Sequence, residues 1–160
     1  MTVIRTHYLD ASAIVKLLID EDESAAVRSY LDHHATRVTT SLCFAETLGV
    51  LKAKQVHGHI SREQYLAACE ELMAHIRGQT ITIEVVGFTA RDVFDEVEIL
   101  CQKHALDLSD ACQLLTLRSG QLSRLEGDSR PILVTADKKL AAAARSEGLR
   151  AWDCMHEAAP

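Results

Sequence analysis

Apolar residues recur along this chain with two different spacings, and stretches of each kind alternate. Short runs rich in apolar and β-branched residues at 3–9, 37–40, 81–86 and 132–135 read as strands, and a fifth, short strand fits 149–152. Between them, apolar residues at three- and four-residue intervals predict helices over 24–33, 42–56, 62–77, 90–104, 108–118 and 138–147, with a short helix from Ser12 through Leu18. The start and stop signals agree. Ser12 and Ser61 are candidate N-caps, the latter with Gln64 three positions on as a capping box; Asp107 opens its helix, and Gly148 ends the last one. His57-Gly58-His59 turns two of the helices into a hairpin.

Strands that alternate with helices pack as a parallel sheet covered on both faces. The expected fold class is α/β: a three-layer α/β/α arrangement around a mostly parallel central sheet of four or five strands. Two prolines and seven scattered glycines leave no linker, so residues 1–160 read as a single domain. In sheets of this kind ligands collect at the carboxyl ends of the strands.

Composition narrows the function classes. The 160 residues are 48% hydrophobic and 25% charged, and 17 Lys+Arg against 23 Asp+Glu give a net charge of −6. A field of that sign does not draw in polyanions, so any nucleic-acid role must rest on a local site. With aromatics at 4%, an extended base-stacking platform is not expected. No run approaches the roughly 20 apolar residues of a membrane span, and residues 1–10 lack a signal-peptide pattern, so no membrane contact and a cytoplasmic location are expected. Cys43, Cys69, Cys101, Cys112 and Cys154 form no C-x-x-C pair and read as reduced core residues. The pairs His33-His34, His57-x-His59 and Cys154-x-His156 lack zinc-site spacing and read as exposed.

The candidate chemistry lies in carboxylates. The first strand exits into Asp10-Ala11-Ser12 and the fourth into Thr135-Ala136-Asp137, so both deliver an acid to one rim. Each has a structural alternative: Asp10 as a turn residue, Asp137 as a helix cap. Glu46 has Leu42, Cys43, Gly49 and Val50 as its helical neighbours, which sets a carboxylate on an apolar face where only a cation, a hydrogen-bond network or a metal offsets the cost. Its structural alternative is pairing with Lys52 or another base. Asp110 resembles it, with Leu114 and Leu117 along the inward stripe, whereas Asp107 reads as a cap and is set aside. The run Asp20-Glu21-Asp22-Glu23 reads as a solvated turn. Spacing alone does not bring four acids together. If they meet, like-charge repulsion calls for a hard divalent cation, and oxygen-only ligands favour Mg²⁺ or Mn²⁺ and phosphoryl chemistry.

In order, Tyr8-Leu9-Asp10-Ala11-Ser12-Ala13-Ile14-Val15-Lys16, Phe44-Ala45-Glu46, Leu108-Ser109-Asp110-Ala111-Cys112-Gln113-Leu114 and Leu133-Val134-Thr135-Ala136-Asp137-Lys138-Lys139-Leu140 resemble the PIN-domain nucleases. Within these they look most like the VapC-like toxin ribonucleases of bacterial type II toxin–antitoxin modules. The resemblance runs from Val3 to about Trp152. It implies a Mg²⁺- or Mn²⁺-dependent endoribonuclease, with Asp10, Glu46 and Asp110 around the principal metal, Asp137 as an outer or second-metal ligand, and Ser12 and Thr135 orienting the carboxylates. It also implies an RNA substrate and a cognate antitoxin, and a homodimer is the default oligomer. Lys16, Lys52, Lys54, Lys103, Lys138 and Lys139 are the candidate substrate contacts. Two alternatives are a housekeeping PIN-type nuclease acting on structured RNA or DNA, and a catalytically idle PIN-like module that binds a partner; the presence of all four acids argues against the latter.

Overall fold

The computed structural model describes residues 5–31 and 36–160. Its elements run β1 (Thr6–Leu9), α1 (Ala11–Leu18), α2 (Ser24–Leu31), β2 (Thr36–Thr40), α3 (Ser41–Val56), α4 (Arg62–Arg77), β3 (Thr82–Glu84), α5 (Arg91–His104), α6 (Leu108–Ser119), β4 (Ile132–Thr135), α7 (Lys138–Ser146) and β5 (Arg150–Asp153). Every predicted element is present, with ends shifted by a few residues. The expected strand start at Val3 and Ile4 and the expected helix end at Asp32 and His33 lie outside the described residues, as does His34.

The strands form one sheet in the order β3-β2-β1-β4-β5, and every neighbouring pair is parallel. Parallel neighbours need crossovers, and the helices supply them on both faces, so the three-layer α/β/α arrangement holds. The alternation of side chains along each strand divides the core in two. Leu9, Ile132 and Val134 face a cluster built with α1 to α4 through Ile14, Leu31, Leu51 and Leu72. Tyr8 and Leu133 face the opposite cluster, built with α5 to α7 through Val97, Leu100, Leu114 and Leu140. On α4, Ala68 and Leu72 are buried, whereas Leu66 is exposed.

The chain leaves β1 towards β2 and β3, then returns to the other side of β1 for β4 and β5. The direction of winding therefore reverses between β1 and β4, which opens a crevice beyond their carboxyl ends. Three helix starts ring that crevice. Thr40 caps α3 by accepting from Cys43 N at 3.1 Å, Asp107 caps α6 by accepting from Asp110 N at 2.9 Å, and Asp137 caps α7 by accepting from Lys139 N and Leu140 N at 2.7 and 3.1 Å. At the far side of the molecule the Ser61 capping box with Gln64 forms as predicted. The cap predicted at Ser12 is displaced: Asp10 occupies the N-cap position of α1, and Ser12 sits inside the first turn.

Candidate active site

Asp10 is placed by two elements at once. Its backbone N donates to Val134 O and its backbone O accepts from Ala13 N and Ile14 N, tying it to β4 and to the start of α1. Its carboxylate makes no capping bond to α1 and is free to point into the crevice. There it is held by three side chains: Ser12 Oγ donates to Oδ2 at 2.5 Å, Thr135 Oγ1 donates to Oδ2 at 2.8 Å, and Gln113 Nε2 donates to Oδ1 at 3.1 Å. Asp10 is only 6% exposed, so these donors offset the cost of burying its charge.

The supporting hydroxyls are themselves fixed. Ser12 Oγ accepts from Ala136 N at 2.9 Å, and Thr135 Oγ1 accepts from Asp137 N at 3.0 Å. The strand-exit acids Asp10 and Asp137 are thus linked through Thr135. For Asp137 the capping role is real, and it occupies Oδ1 in both of its bonds to α7. The acid lines the crevice all the same.

A cavity of about 340 Å³ is lined by Asp10, Glu46, Asp110 and Asp137, the four acids singled out in the sequence, together with Glu21 and Asp107. Glu46 does not pair with Lys52, whose Nζ donates to Gln55 Oε1 and lies over the Tyr65 ring. It is oriented instead by Ser109, whose Oγ donates to Glu46 Oε2 at 2.9 Å. Burial, and then the charges of Asp10 and Asp107, raise the Glu46 carboxyl above its ordinary value, against the opposing pull of Ser109. Asp110 is pushed further, to about 7, first by burial and then by the charges of Asp10, Asp107, Asp137 and Glu46. The acids that sequence spacing could not connect feel one another's charge.

Two features correct the sequence reading. Glu21 is not part of a solvated turn: its two carboxylate oxygens accept from Lys16 Nζ at 2.8 Å and Lys54 Nζ at 2.9 Å, and it lines the cavity. Asp107 caps α6 as expected and yet also lines the cavity, so its charge belongs to the site's field. Gln113 carries a role that its place in the sequence did not reveal. It follows Asp110 by about one turn, yet it is 1% exposed and reaches under the site to Asp10. A buried glutamine within an apolar helical run was the available signal.

Of the lysines named as substrate contacts, Lys16 is buried in its ion pair with Glu21, Lys52 is turned away to Gln55 and the Tyr65 ring and does not line the cavity, Lys103 pairs with Glu147, and Lys139 donates to Ala105 O. Among the described residues, Lys54 is the lysine that lines the cavity.

The donor chemistry fits a hard divalent cation such as Mg²⁺ or Mn²⁺, because the described lining residues bring together carboxylate oxygens with hydroxyl and amide support and, among them, no thiolate or imidazole. Among the described residues no three His, Cys, Asp or Glu side chains are already gathered as a ligand set. Among the described residues, too, no helix is long and apolar enough to cross a membrane.

Comparison with known proteins bears on the same arrangement. Residues 7–146 match the PIN domain family. Ribonuclease VapC46 of Mycobacterium tuberculosis is 32% identical over 106 residues, covering 66% of this chain and 81% of that protein. The crystal structure of PAE2754 from Pyrobaculum aerophilum superposes with a TM-score of 0.61 at 18% identity, over 93% of this chain and 84% of that one, and shares the fold. With four motifs in order on a parallel sheet of this topology and a family match over most of its length, the chain belongs to the PIN-domain family, in its VapC-like group.

Proposed function

We propose that this chain is a Mg²⁺- or Mn²⁺-dependent endoribonuclease and the toxin of a type II toxin–antitoxin module, with a cognate antitoxin protein as its partner. The observation that carries the reading is the convergence of Asp10, Glu46, Asp110 and Asp137, from four separate elements, on one cavity at the reversal point of the sheet. The likeness to a ribonuclease named VapC46 supports RNA as the substrate and an antitoxin as the partner.

In this reading Asp10, Glu46 and Asp110 hold the cation, with Asp137 further out. The cation, when bound, supplies an activated water and stabilises charge on the phosphodiester as the P–O bond breaks. The chain's own residues do the rest. Ser12, Thr135 and Gln113 aim the Asp10 carboxylate and satisfy its buried oxygens. Ser109, at the start of α6, holds Glu46 by donating to its Oε2, and Asp137 fixes the start of α7 while lining the cavity. Burial and the neighbouring carboxylates raise Asp110 to about 7, so a cation binding there competes with a proton.

The test is cleavage of a labelled single-stranded RNA by the purified chain with Mn²⁺ or Mg²⁺, set against the Asp10→Asn chain and an EDTA control. Cation-dependent cleavage that disappears in Asp10→Asn is expected. Undiminished cutting by that variant, or cutting in EDTA, removes the assignment. Growth arrest on induced expression, relieved by the product of a neighbouring gene, is expected for the toxin role.

A further inference from the structure

Building on the ribonuclease reading, we propose that Lys54 is a substrate-positioning residue that grips a backbone phosphate of the RNA next to the scissile one, and that Glu21 and Lys16 form a built-in mount that aims it. Three observations converge on this. First, Glu46, Val50 and Lys54 are spaced four residues apart on α3 and all line the cavity. One helical face therefore carries an acid of the candidate metal set at one end and a cation at the other, about 12 Å apart along the axis at ~1.5 Å per residue. That separation places Lys54 beyond the reacting phosphodiester and within reach of a neighbouring phosphate.

Second, the lysine is held, not loose. Lys54 Nζ sits 2.9 Å from Glu21 Oε2, and the other Glu21 oxygen accepts from Lys16 Nζ at 2.8 Å. Lys16 is 4% exposed and also donates to Asp22 O at 2.7 Å, so the buried lysine anchors the acidic turn and leaves Glu21 rigid. Third, neutralising Glu21 does not require Lys54. Lys16 already balances that carboxylate within the wall, and the trio keeps one net positive charge facing the cavity. An ammonium has three donors; Glu21 takes one, and the remaining two can serve a phosphate.

The mount also answers an electrostatic difficulty. The cavity wall carries Asp10, Glu46, Asp107, Asp110 and Asp137, and Lys54 is the cation among its described lining residues. An RNA strand entering a chain of net charge −6 needs a fixed positive point to set its register, and this is where the structure provides one.

The experiment measures KM, kcat and the salt dependence of kcat/KM for cleavage of a single-stranded RNA by the parent, Lys54→Ala, Lys54→Arg and Lys52→Ala chains. For Lys54→Ala, a KM raised by about tenfold with kcat little changed is expected. The slope of log kcat/KM against log salt should become shallower by about 0.7, the share of one single-strand phosphate contact. Lys54→Arg should restore most of both. Lys52→Ala, which removes the same charge from the same helix but at a side chain turned to Tyr65, should keep the parent's slope. If the parent cleaves RNA and Lys54→Ala matches it in KM and slope, or if Lys52→Ala shows the same loss, the inference is overturned while the ribonuclease reading stands. A kcat loss at unchanged KM overturns it equally, by placing Lys54 at the reacting atoms. If the parent cuts no RNA, the ribonuclease reading fails and takes this inference with it.

Discussion

Replacing Asp110 with Asn should make the cation-free protein more stable, and by an amount that grows with pH. Asp110 has its carboxyl displaced from 3.8 to about 7 by burial and by four neighbouring carboxylates. The folded chain therefore holds this proton where the unfolded chain has released it. Between about pH 4 and pH 7 the folded state binds the extra proton, so stability falls as pH rises through that window and stays low above it. Below pH 4 both states are protonated and the contribution vanishes. At full value the displacement corresponds to roughly 4 kcal/mol at 1.36 kcal/mol per tenfold. Solvent reaches Asp110 in the cavity and screens it, which leaves ~1–2 kcal/mol. Asparagine keeps the shape, and the backbone bond from Asp110 N to Asp107 is untouched. For a domain of this size the gain is about 3–6 °C in melting temperature. The assay is thermal unfolding of parent and variant in EDTA at pH 4, 5.5 and 8. The variant should match the parent at pH 4 and exceed it at pH 8, and Mn²⁺ should stabilise the parent more than the variant. A variant that melts below the parent at pH 8, with the same pH dependence, would show that Asp110 is structurally paired and that the charge argument is wrong.

Two further substitutions probe the parts around the site. Thr135→Val removes both the 2.8 Å donor to Asp10 and the acceptor for Asp137 N, so it should cost about 1–3 kcal/mol in denaturant unfolding and weaken Mn²⁺ binding by about 10–100-fold in calorimetry; unchanged Mn²⁺ affinity would reject the orienting role. Gly120→Ala at the end of α6 should destabilise by about 2 kcal/mol or more, because a Cβ there would press into Thr116 O and stand 2.5 Å from Glu84 Oε1. Glu84 cannot move aside freely, since Tyr8 Oη and Gln121 N both donate to it; a neutral urea midpoint would contradict that packing account.

Much of this protein was legible in one dimension. The elements follow from periodicity, and the strand-end acids Asp10 and Asp137 follow from the rule that parallel strands deliver their next residues to one rim. Glu46 was visible as a carboxylate among apolar helical neighbours; the fold leaves it exposed at the cavity wall, where no buried counter-charge is needed and Ser109 orients it. Other features were out of reach. Glu21 looked like one of four solvated acids, because nothing in local sequence says which of them meets Lys16 and Lys54. That Asp10, at the N-cap position of α1, makes no side-chain capping bond was also out of reach, because its carboxylate is taken up by Ser12, Thr135 and Gln113.

Local interactions are encoded at fixed short offsets, so hydrophobic period, caps and strand exits were determined by the sequence alone: a parallel α/β domain with acids at its carboxyl rim. Which charges share a cavity depends on where β1 and β4 lie side by side and on the Ser109–Glu46 bond that joins the start of α6 to α3. That choice is made by packing two apolar clusters on opposite faces of one sheet. Only the tertiary structure could therefore set Asp110 against four other carboxylates, seat Gln113 beneath Asp10, and hold Lys54 at the wall of the acidic cavity.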